Sequence, residues 1–178
     1  MYVTLIALDG DVPVHQPKDG EATLILRRYQ PEDLEAVWEL HNRALDDVGT
    51  HVGNGPWDDD LRAIENVYLR DGEFLVGALD GQVVAMGALR RLSAHEAEVK
   101  RMRVEPSFQG RGFGTQMLEG LEERAKQLGI NVLRLDTAAV QGPAVRLYEG
   151  HGYQLTHEGL LGPPGQKLKT FFYEKHLS

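Results

Sequence analysis

The stretch that decides the fold is Glu98–Gly129, with the sequence EVKRMRVEPSFQGRGFGTQMLEGLEERAKQLG. A strand-like segment leads into residues 109–114 (QGRGFG), and a segment with the apolar periodicity of a helix follows as far as Gly129. Glycines at the beginning of a helix let a ligand approach the backbone, and the unpaired N–H groups of the first turn attract anions. The pattern therefore predicts a site for a phosphate or pyrophosphate.

Two other phosphate-binding patterns fit this stretch less well. The Walker pattern requires Gly-Lys-Ser/Thr, and Gly114-Thr115-Gln116 contains no lysine. A Rossmann fingerprint would end on the marginal Thr115, although Asp136 does follow the next strand, where a ribose-binding acid belongs. Residues 105–109 separate the strand from the glycines, and too few βαβ units follow. A nucleotide-binding protein is therefore the weaker alternative.

The composition limits the classes of partner. The 178 residues are 42% hydrophobic and 26% charged, which is typical of a globular chain, and the net charge of −8 disfavours nucleic acid. The chain contains no cysteine, which excludes disulfides, thiolate metal sites and a protein thiol nucleophile. No apolar run approaches the roughly 20 residues of a membrane span, and residues 1–11 lack the basic start of a signal peptide. We expect a cytoplasmic protein without nucleic-acid, membrane or metal partners.

The patterns along the chain predict a single domain over residues 23–178, preceded by an N-terminal arm and connector over residues 1–22. The predicted order is β-α-α-β-β-β-α-β-α-β. Strands are expected at 23–29, 73–79, 82–92, 97–104, 131–136 and 168–176, and helices at 31–45, from a cap within 58–60 to 69, at 113–128 and at 143–149. Asp80-Gly81 predicts a tight turn between the second and third strands.

Two segments resemble motifs of the GNAT N-acetyltransferase superfamily. Residues 104–114 (VEPSFQGRGFG) are similar to motif A, whose core is Gln/Arg-x-x-Gly-x-Gly/Ala, and residues 144–153 (AVRLYEGHGY) are similar to motif B, commonly A-x-x-L-Y-E-x-x-G-F/Y. The resemblance covers roughly residues 23–176. It implies an α/β (α+β) fold in which four helices flank a mixed central sheet of six to seven strands, and two central strands splay apart at the acetyl-CoA site.

The resemblance also implies the reaction. Acetyl-CoA is the expected co-substrate, and the acceptor is a primary amine of a small molecule or a protein, which attacks directly through a tetrahedral intermediate. The residues expected to bind acetyl-CoA are Met102, Arg103, Val104, Gln109, Gly110, Arg111, Gly112, Phe113, Gly114, Thr115 and Gln141. Gln141 stands where members of the family often have Asn.

Two residues are predicted to move protons. By the resemblance, Tyr148 is the general acid that protonates the departing CoA thiolate, since a phenol holds its proton at neutral pH; otherwise it is a core aromatic residue. Glu98 is predicted as the general base, because strand alternation places it on the same face as Lys100, Met102 and Val104. A solvated carboxylate or a salt-bridge partner is an equally good interpretation of Glu98.

Other polar residues have more than one interpretation. Glu96 and His95 are alternative bases, and His151 is expected at the surface near a helix end. The acidic triplet at 58–60 attracts a cationic amine, with Trp57 stacking against it, or it caps a helix.

A non-catalytic acyl-CoA-binding or sensing module on the same fold remains the alternative to an enzyme. Pairing of edge strands into a homodimer is common among proteins of this kind, and the sequence leaves the oligomeric state open.

Overall fold

The computed structural model of the protein describes residues 24–178, which form seven strands and four α-helices. The strands are β1 (Ile25–Arg28), β2 (Glu73–Leu79), β3 (Gln82–Arg91), β4 (Glu96–Val104), β5 (Val132–Ala138), β6 (Gln154–Leu161) and β7 (Leu168–His176). The helices are α1 (Leu34–Asp47), α2 (Ile64–Val67), α3 (Phe113–Gln127) and α4 (Gly142–Gly150).

All seven strands belong to one mixed sheet, in the order β1-β2-β3-β4-β5-β7-β6. Neighbouring strands are antiparallel except for β4 and β5, which are parallel at the centre of the sheet. The parallel pairing joins only Glu96–Glu98 to Val132–Arg134. Both strands continue beyond these residues without pairing to each other, so the expected splay between two central strands is confirmed.

A β-bulge lies in β4, directly beyond the last residues that pair with β5. Arg101 and Met102 together face the single residue Gly87 of β3. Arg101 has a φ of 57°, in the left-handed region that costs a residue with a side chain of order 1–3 kcal/mol. A Cβ atom at Gly87 would lie 2.8 Å from the sulfur of Met102 and 2.8 Å from Cδ1 of Leu121, so side chains of β4 and α3 fill the space over this glycine.

The bulge reverses the alternation of side chains along β4. Ala97 and Val99 before it, and Met102 and Val104 after it, all pack against the same hydrophobic cluster. The prediction that Glu98 shares a face with Met102 and Val104 is therefore wrong. An extra residue in one strand moves every later side chain to the opposite face, and the sequence carries no glycine or proline to signal it.

The two faces of the sheet carry separate hydrophobic clusters. The larger cluster packs α3 and α4 against the sheet, and the smaller one packs α1 and the segment around α2 against the other face. Leu75 and Phe74, adjacent on β2, belong to different clusters, as the alternation of a strand requires. A sheet covered on both faces leaves the parted ends of β4 and β5 as the opening into the molecule.

Most of the predicted elements are confirmed, with two differences. The sequence analysis missed β6, because nearly every residue of β6 is exposed and an exposed edge strand shows no apolar alternation. The second helix was predicted too long: a 3₁₀ turn at Pro56–Asp58 and further turns precede α2, which has four residues. The predicted arm and connector at 1–22 lies outside the described residues, and the domain boundary stays a prediction.

Within residues 24–178, no helix is both long and apolar enough to cross a membrane. The same part of the chain contains no group of three His, Asp or Glu residues that could hold a metal ion.

Candidate active site

A cavity of about 750 Å³ opens where β4 and β5 part. Its walls come from α1, the segment 50–58, the second half of β4, residues 109–112 (the glycine loop) with the start of α3, the end of β5, α4 and the connection between β6 and β7. The cavity therefore extends from the beginning of α3 to the face of the sheet that α1 covers. It is large enough for a ligand of drug size or more.

The glycine loop shapes one end of the cavity. Gly110 and Gly112 have φ angles of 75° and 80°, which a residue with a Cβ rarely adopts, and Gly112 is the N-cap of α3. The first backbone hydrogen bond of α3 runs from the N–H of Gln116 to the carbonyl of Gly112, at 3.0 Å. The N–H groups of residues 113–115 precede that bond and belong to residues that line the cavity, as anion binding at a helix N-terminus requires.

The structure brings ten of the eleven residues predicted to bind acetyl-CoA to this cavity. The ten are Met102, Arg103, Val104, Gln109, Gly110, Gly112, Phe113, Gly114, Thr115 and Gln141. Arg111 is not among the lining residues of the described chain; its guanidinium lies 4.9 Å from the centre of the Phe108 ring. Gln141 is the N-cap of α4, and its side-chain oxygen lies 3.4 Å from the Thr137 hydroxyl.

Tyr148 is both a core residue and a residue of the cavity wall. Its ring is 5% exposed and packs edge-on against Tyr153, with centroids 5.7 Å apart. Burial raises the pKa of the Tyr148 phenol to about 12, while the nearby Arg103 lowers it and Asp136 raises it. The phenol therefore holds its proton at neutral pH.

Glu98 lies away from the cavity and is held by two cations. Its carboxylate pairs with Arg90 and lies 3.4 Å from the Nζ of Lys100, and Glu98 is not among the lining residues of the described chain. The Nζ of Lys100 is also 3.6 Å from the carboxylate of Asp136 on β5, which does line the cavity. Lys100 thus bridges two carboxylates where β4 and β5 part, and Asp136 is the one that faces the cavity.

The two alternative bases, Glu96 and His95, lie outside the cavity, as does His151. Glu96 pairs with Arg134 at 3.1 Å, and the Nδ1 of His95 lies 3.3 Å from the carbonyl oxygen of Gly129. His151 follows the last residue of α4, with its Nδ1 2.8 Å from the Leu147 carbonyl oxygen. None of the three lines the cavity in the described part of the chain.

Arg101 pairs with the first and third residues of the acidic triplet. Its Nη1 lies 3.2 Å from Asp58 Oδ1, and its Nε donates to Asp60 Oδ2 at 2.8 Å. Asp59 pairs instead with Arg62 at 2.6 Å. The triplet is therefore not available to attract a cationic amine, and it does not cap α2. Asp58 instead accepts the N–H of Gly55, which closes the 3₁₀ turn.

His41 is a residue of the cavity that sequence analysis did not single out. It is fully buried on α1, and its Nε2 lies 3.2 Å from Asp58 Oδ1. Burial, with the charges of Arg103 and Arg101, lowers the pKa of His41 to about 4, so the imidazole is neutral at pH 7. The sequence signal for His41 is its place in the apolar periodicity of residues 31–45. That signal predicts a buried side chain but no chemical role for it.

Comparison with known sequences places the chain in a family. A sequence model of the Acetyltransferase (GNAT) family matches residues 34–153. The IAA acetyltransferase of Azospirillum brasilense is 35% identical over 108 residues, which are 60% of this chain and 69% of that protein. The ribosomal protein bS18-alanine N-acetyltransferase of Salmonella typhimurium is 28% identical over 124 residues, covering 68% of this chain and 74% of that protein.

Solved structures share the fold. An acetyltransferase of the GNAT family from Staphylococcus aureus Mu50 superimposes with a TM-score of 0.76 at 20% identity, covering 88% of this chain and all of that one (100%). YncA of Salmonella typhimurium, whose structure includes its cofactor acetyl-CoA, gives a TM-score of 0.70 at 20% identity, with 88% and 95% of the two chains covered.

The chain therefore belongs to the GNAT family of N-acetyltransferases. Its enzyme class is that of an acyltransferase.

The buried, neutral His41 predicts a pH-dependent stability. The unfolded chain protonates this histidine near pH 6.5, whereas the folded protein resists protonation down to about pH 4. Stability is therefore lost as the pH falls below about 6.5. From the difference in pKa we expect a loss of about 2 kcal/mol in the free energy of unfolding between pH 7 and pH 5.

Urea denaturation at several pH values measures this effect. His41→Gln should remove most of the slope, and His176→Gln, at an exposed histidine, is the matched control that should leave it unchanged. Equal slopes in the wild type and in His41→Gln would contradict the assignment.

Proposed function

We propose that the protein transfers the acetyl group of acetyl-CoA to a primary amine by direct attack, without an acetylated protein intermediate. The observation that carries this proposal is the parting of β4 from β5, which opens a single cavity reaching from the start of α3 to Tyr148 and Asp136. The absence of cysteine in the chain supports direct attack, because no protein thiol is available to carry the acetyl group.

The residues of the cavity fit acetyl-CoA. The first N–H groups of α3 and the open glycine loop suit the pyrophosphate, since a Cβ at Gly110 or Gly112 would meet no atom within 4 Å. The unpaired edge of β4 at Met102–Val104 suits the pantetheine arm, which adds there as a peptide strand would. When bound, the coenzyme supplies an acetyl group activated as a thioester.

The bulge in β4 supplies a further group for the reaction. A bulge leaves main-chain groups of the longer strand unpaired, and the bulge at Arg101–Met102 lies on the cavity wall. We propose that a main-chain N–H there donates to the acetyl oxygen as negative charge develops on it. A donor fixed in position before the reaction is worth about 3–4 kcal/mol in comparable oxyanion sites.

Tyr148 and Asp136 are the proposed proton donor and acceptor. Asp136 takes one proton from the acceptor ammonium before attack, which leaves a neutral amine. As the C–N bond forms and the C–S bond breaks, Tyr148 gives a proton to the departing sulfur. The cationic nitrogen of the intermediate then loses its second proton, which reprotonates the Tyr148 phenolate. Asp136 replaces Glu98 as the favoured base because it lines the cavity, and Glu98 is linked to it only through Lys100.

The acceptor is an amine of a small molecule or of a protein. The similar proteins are named for different acceptors, IAA in one and the alanine of a ribosomal protein in another, so the family alone does not identify it. The non-catalytic alternative is not favoured by the comparisons, in which the relatives are named as acetyltransferases.

Replacing Tyr148 by phenylalanine separates an enzyme from a sensing module. Tyr148→Phe removes only the hydroxyl, so we expect the affinity for CoA to change by less than about threefold. Turnover should fall by about 10²-fold or more, the usual contribution of a general acid. The measurement is thiol release from acetyl-CoA with a panel of amines, beside calorimetric titration with CoA. Wild-type protein that binds CoA but releases no thiol with any amine would contradict the proposed function.

Replacing each carboxylate by its amide identifies the base. We expect Asp136→Asn to lower kcat by about 10²-fold or more and to flatten the acidic limb of the pH profile of kcat/KM. Glu98→Gln is the matched comparison, since it removes the same charge from the other partner of Lys100, and its effect should be at least tenfold smaller. The reverse order of effects would return the role of base to Glu98.

A further inference from the structure

The cavity contains more positive charge than its own carboxylates balance. The charged side chains that line it, within residues 24–178, are Lys100, Arg101, Arg103, Arg146, Asp58 and Asp136, and its two histidines are His41 and His51. Arg101 and Lys100 are paired with carboxylates, and His51 lies 2.7 Å from Asp46. Arg103 and Arg146 have no carboxylate within ion-pair distance in the described chain. The protein as a whole has a net charge of −8, whereas this lining carries four basic side chains against two carboxylates.

Of these two arginines, Arg103 lies deeper. Arg146 is exposed on α4, where water screens its charge. Arg103 is half-buried; its Nη1 donates to the Met102 carbonyl at 2.7 Å, and its Nε is buried without a hydrogen-bond partner. Burial and the charge of Arg101 lower the pKa of Arg103 to about 10. A buried donor without a partner on a charged group is costly, so a binding partner that satisfies it gains affinity.

The charge of Arg103 acts on both walls of the cavity. Its charge lowers the pKa of His41 on α1 and that of Tyr148 on α4, and all three residues line the same cavity. Asp136, in turn, is near enough to Arg103 to stabilise its charge. Arg103, which has no carboxylate partner in the described chain, therefore shares the cavity with Tyr148 and Asp136, the proposed proton donor and acceptor, beside which the acceptor molecule must bind.

We propose that the guanidinium of Arg103 binds a carboxylate of the acceptor, and that the acceptor is an amino acid with an apolar side chain. This inference rests on the proposed acetyl transfer and specifies its substrate class. A guanidinium and a carboxylate match in shape and form two parallel hydrogen bonds. The amine of such an amino acid can then face Asp136, since Arg103 on β4 and Asp136 on β5 line the same cavity. The backbone of Arg103 remains free for the pantetheine arm.

The apolar part of the acceptor has a matching surface. On α1, in the segment 48–57 and on β6 and β7, the cavity is lined by apolar residues, namely Ala44, Leu45, Val48, Val52, Trp57, Leu161 and Leu168. Several of them, including Trp57 and Leu161, are exposed, with 48% and 45% of their surface accessible. Among the described residues of this wall, Asp58 is the carboxylate that could hold a cationic side chain, and it is already paired with Arg101. An apolar side chain therefore suits this wall better than a basic one.

Thiol release from acetyl-CoA tests the inference with paired substrates. Each of the common α-amino acids is compared with its carboxamide, which keeps the amine and the side chain but removes the negative charge. We expect apolar amino acids to be the best substrates, with kcat/KM at least tenfold above that of their carboxamides. In Arg103→Gln, kcat/KM for the acids should fall more than tenfold and that for the carboxamides less than threefold, so the preference disappears.

Two further variants complete the experiment. Arg103→Lys keeps the charge without the two parallel hydrogen bonds and should retain part of the preference. Arg70→Gln makes the same change of charge at an exposed residue outside the cavity and should behave as the wild type. Calorimetric binding of CoA to Arg103→Gln confirms that this variant is folded.

Three outcomes would overturn the inference. In the first, carboxamides are acetylated as well as or better than the acids. In the second, Arg103→Gln lowers both series equally, which would place its action on the thioester. In the third, basic or acidic amino acids are preferred over apolar ones. If amines that lack a carboxylate are acetylated as well as amino acids, the inference fails but the proposed function stands. If no amine gives thiol release, the proposed function is overturned as well.

Discussion

Beyond Glu98 and Arg134, β4 and β5 no longer exchange main-chain hydrogen bonds, although both strands continue toward the glycine loop and α4. Unpaired backbone inside a sheet is costly unless water or another partner satisfies it. The chain keeps this gap open between two well-packed hydrophobic clusters, one on each face of the sheet. An extended ligand with amide groups, placed along the free edge of β4, satisfies the groups that the missing pairing leaves exposed. The site is thus a gap in the sheet whose unpaired main-chain groups are available to a ligand.

The bulge at Arg101 determines which side chains meet that ligand. By adding one residue to β4, it keeps Met102 and Val104 in the core and turns Arg101 and Arg103 toward α1. The two arginines then have different tasks. Arg101 forms ion pairs with Asp58 and Asp60, and these pairs attach the segment before α2 to the sheet. Arg103 lines the cavity and has a buried Nε without a hydrogen-bond partner, and low dielectric around such a group strengthens its interaction with an anion.

Sequence reasoning could predict the fold because the glycine loop and the segment around Tyr148 are local, contiguous patterns. The same reasoning misplaced Glu98 and the acidic triplet, since both depend on the left-handed backbone of Arg101, and nothing in an arginine signals a positive φ. Asp136 was noticed as an acid at the end of a strand, but its link to Lys100 is a contact across the gap between β4 and β5. Contacts of this kind depend on the pairing register of the strands. The alternation of side chains along a strand does not specify that register once a bulge is present.

A crystal structure of the protein with acetyl-CoA tests the central claim most directly. The account predicts the pyrophosphate at the N–H groups of residues 113–115, the pantetheine paired with the backbone of Met102–Val104, and the thioester between β4 and β5 near Tyr148. Density for the coenzyme elsewhere, or β4 and β5 paired along their full length with the cavity closed, would contradict it.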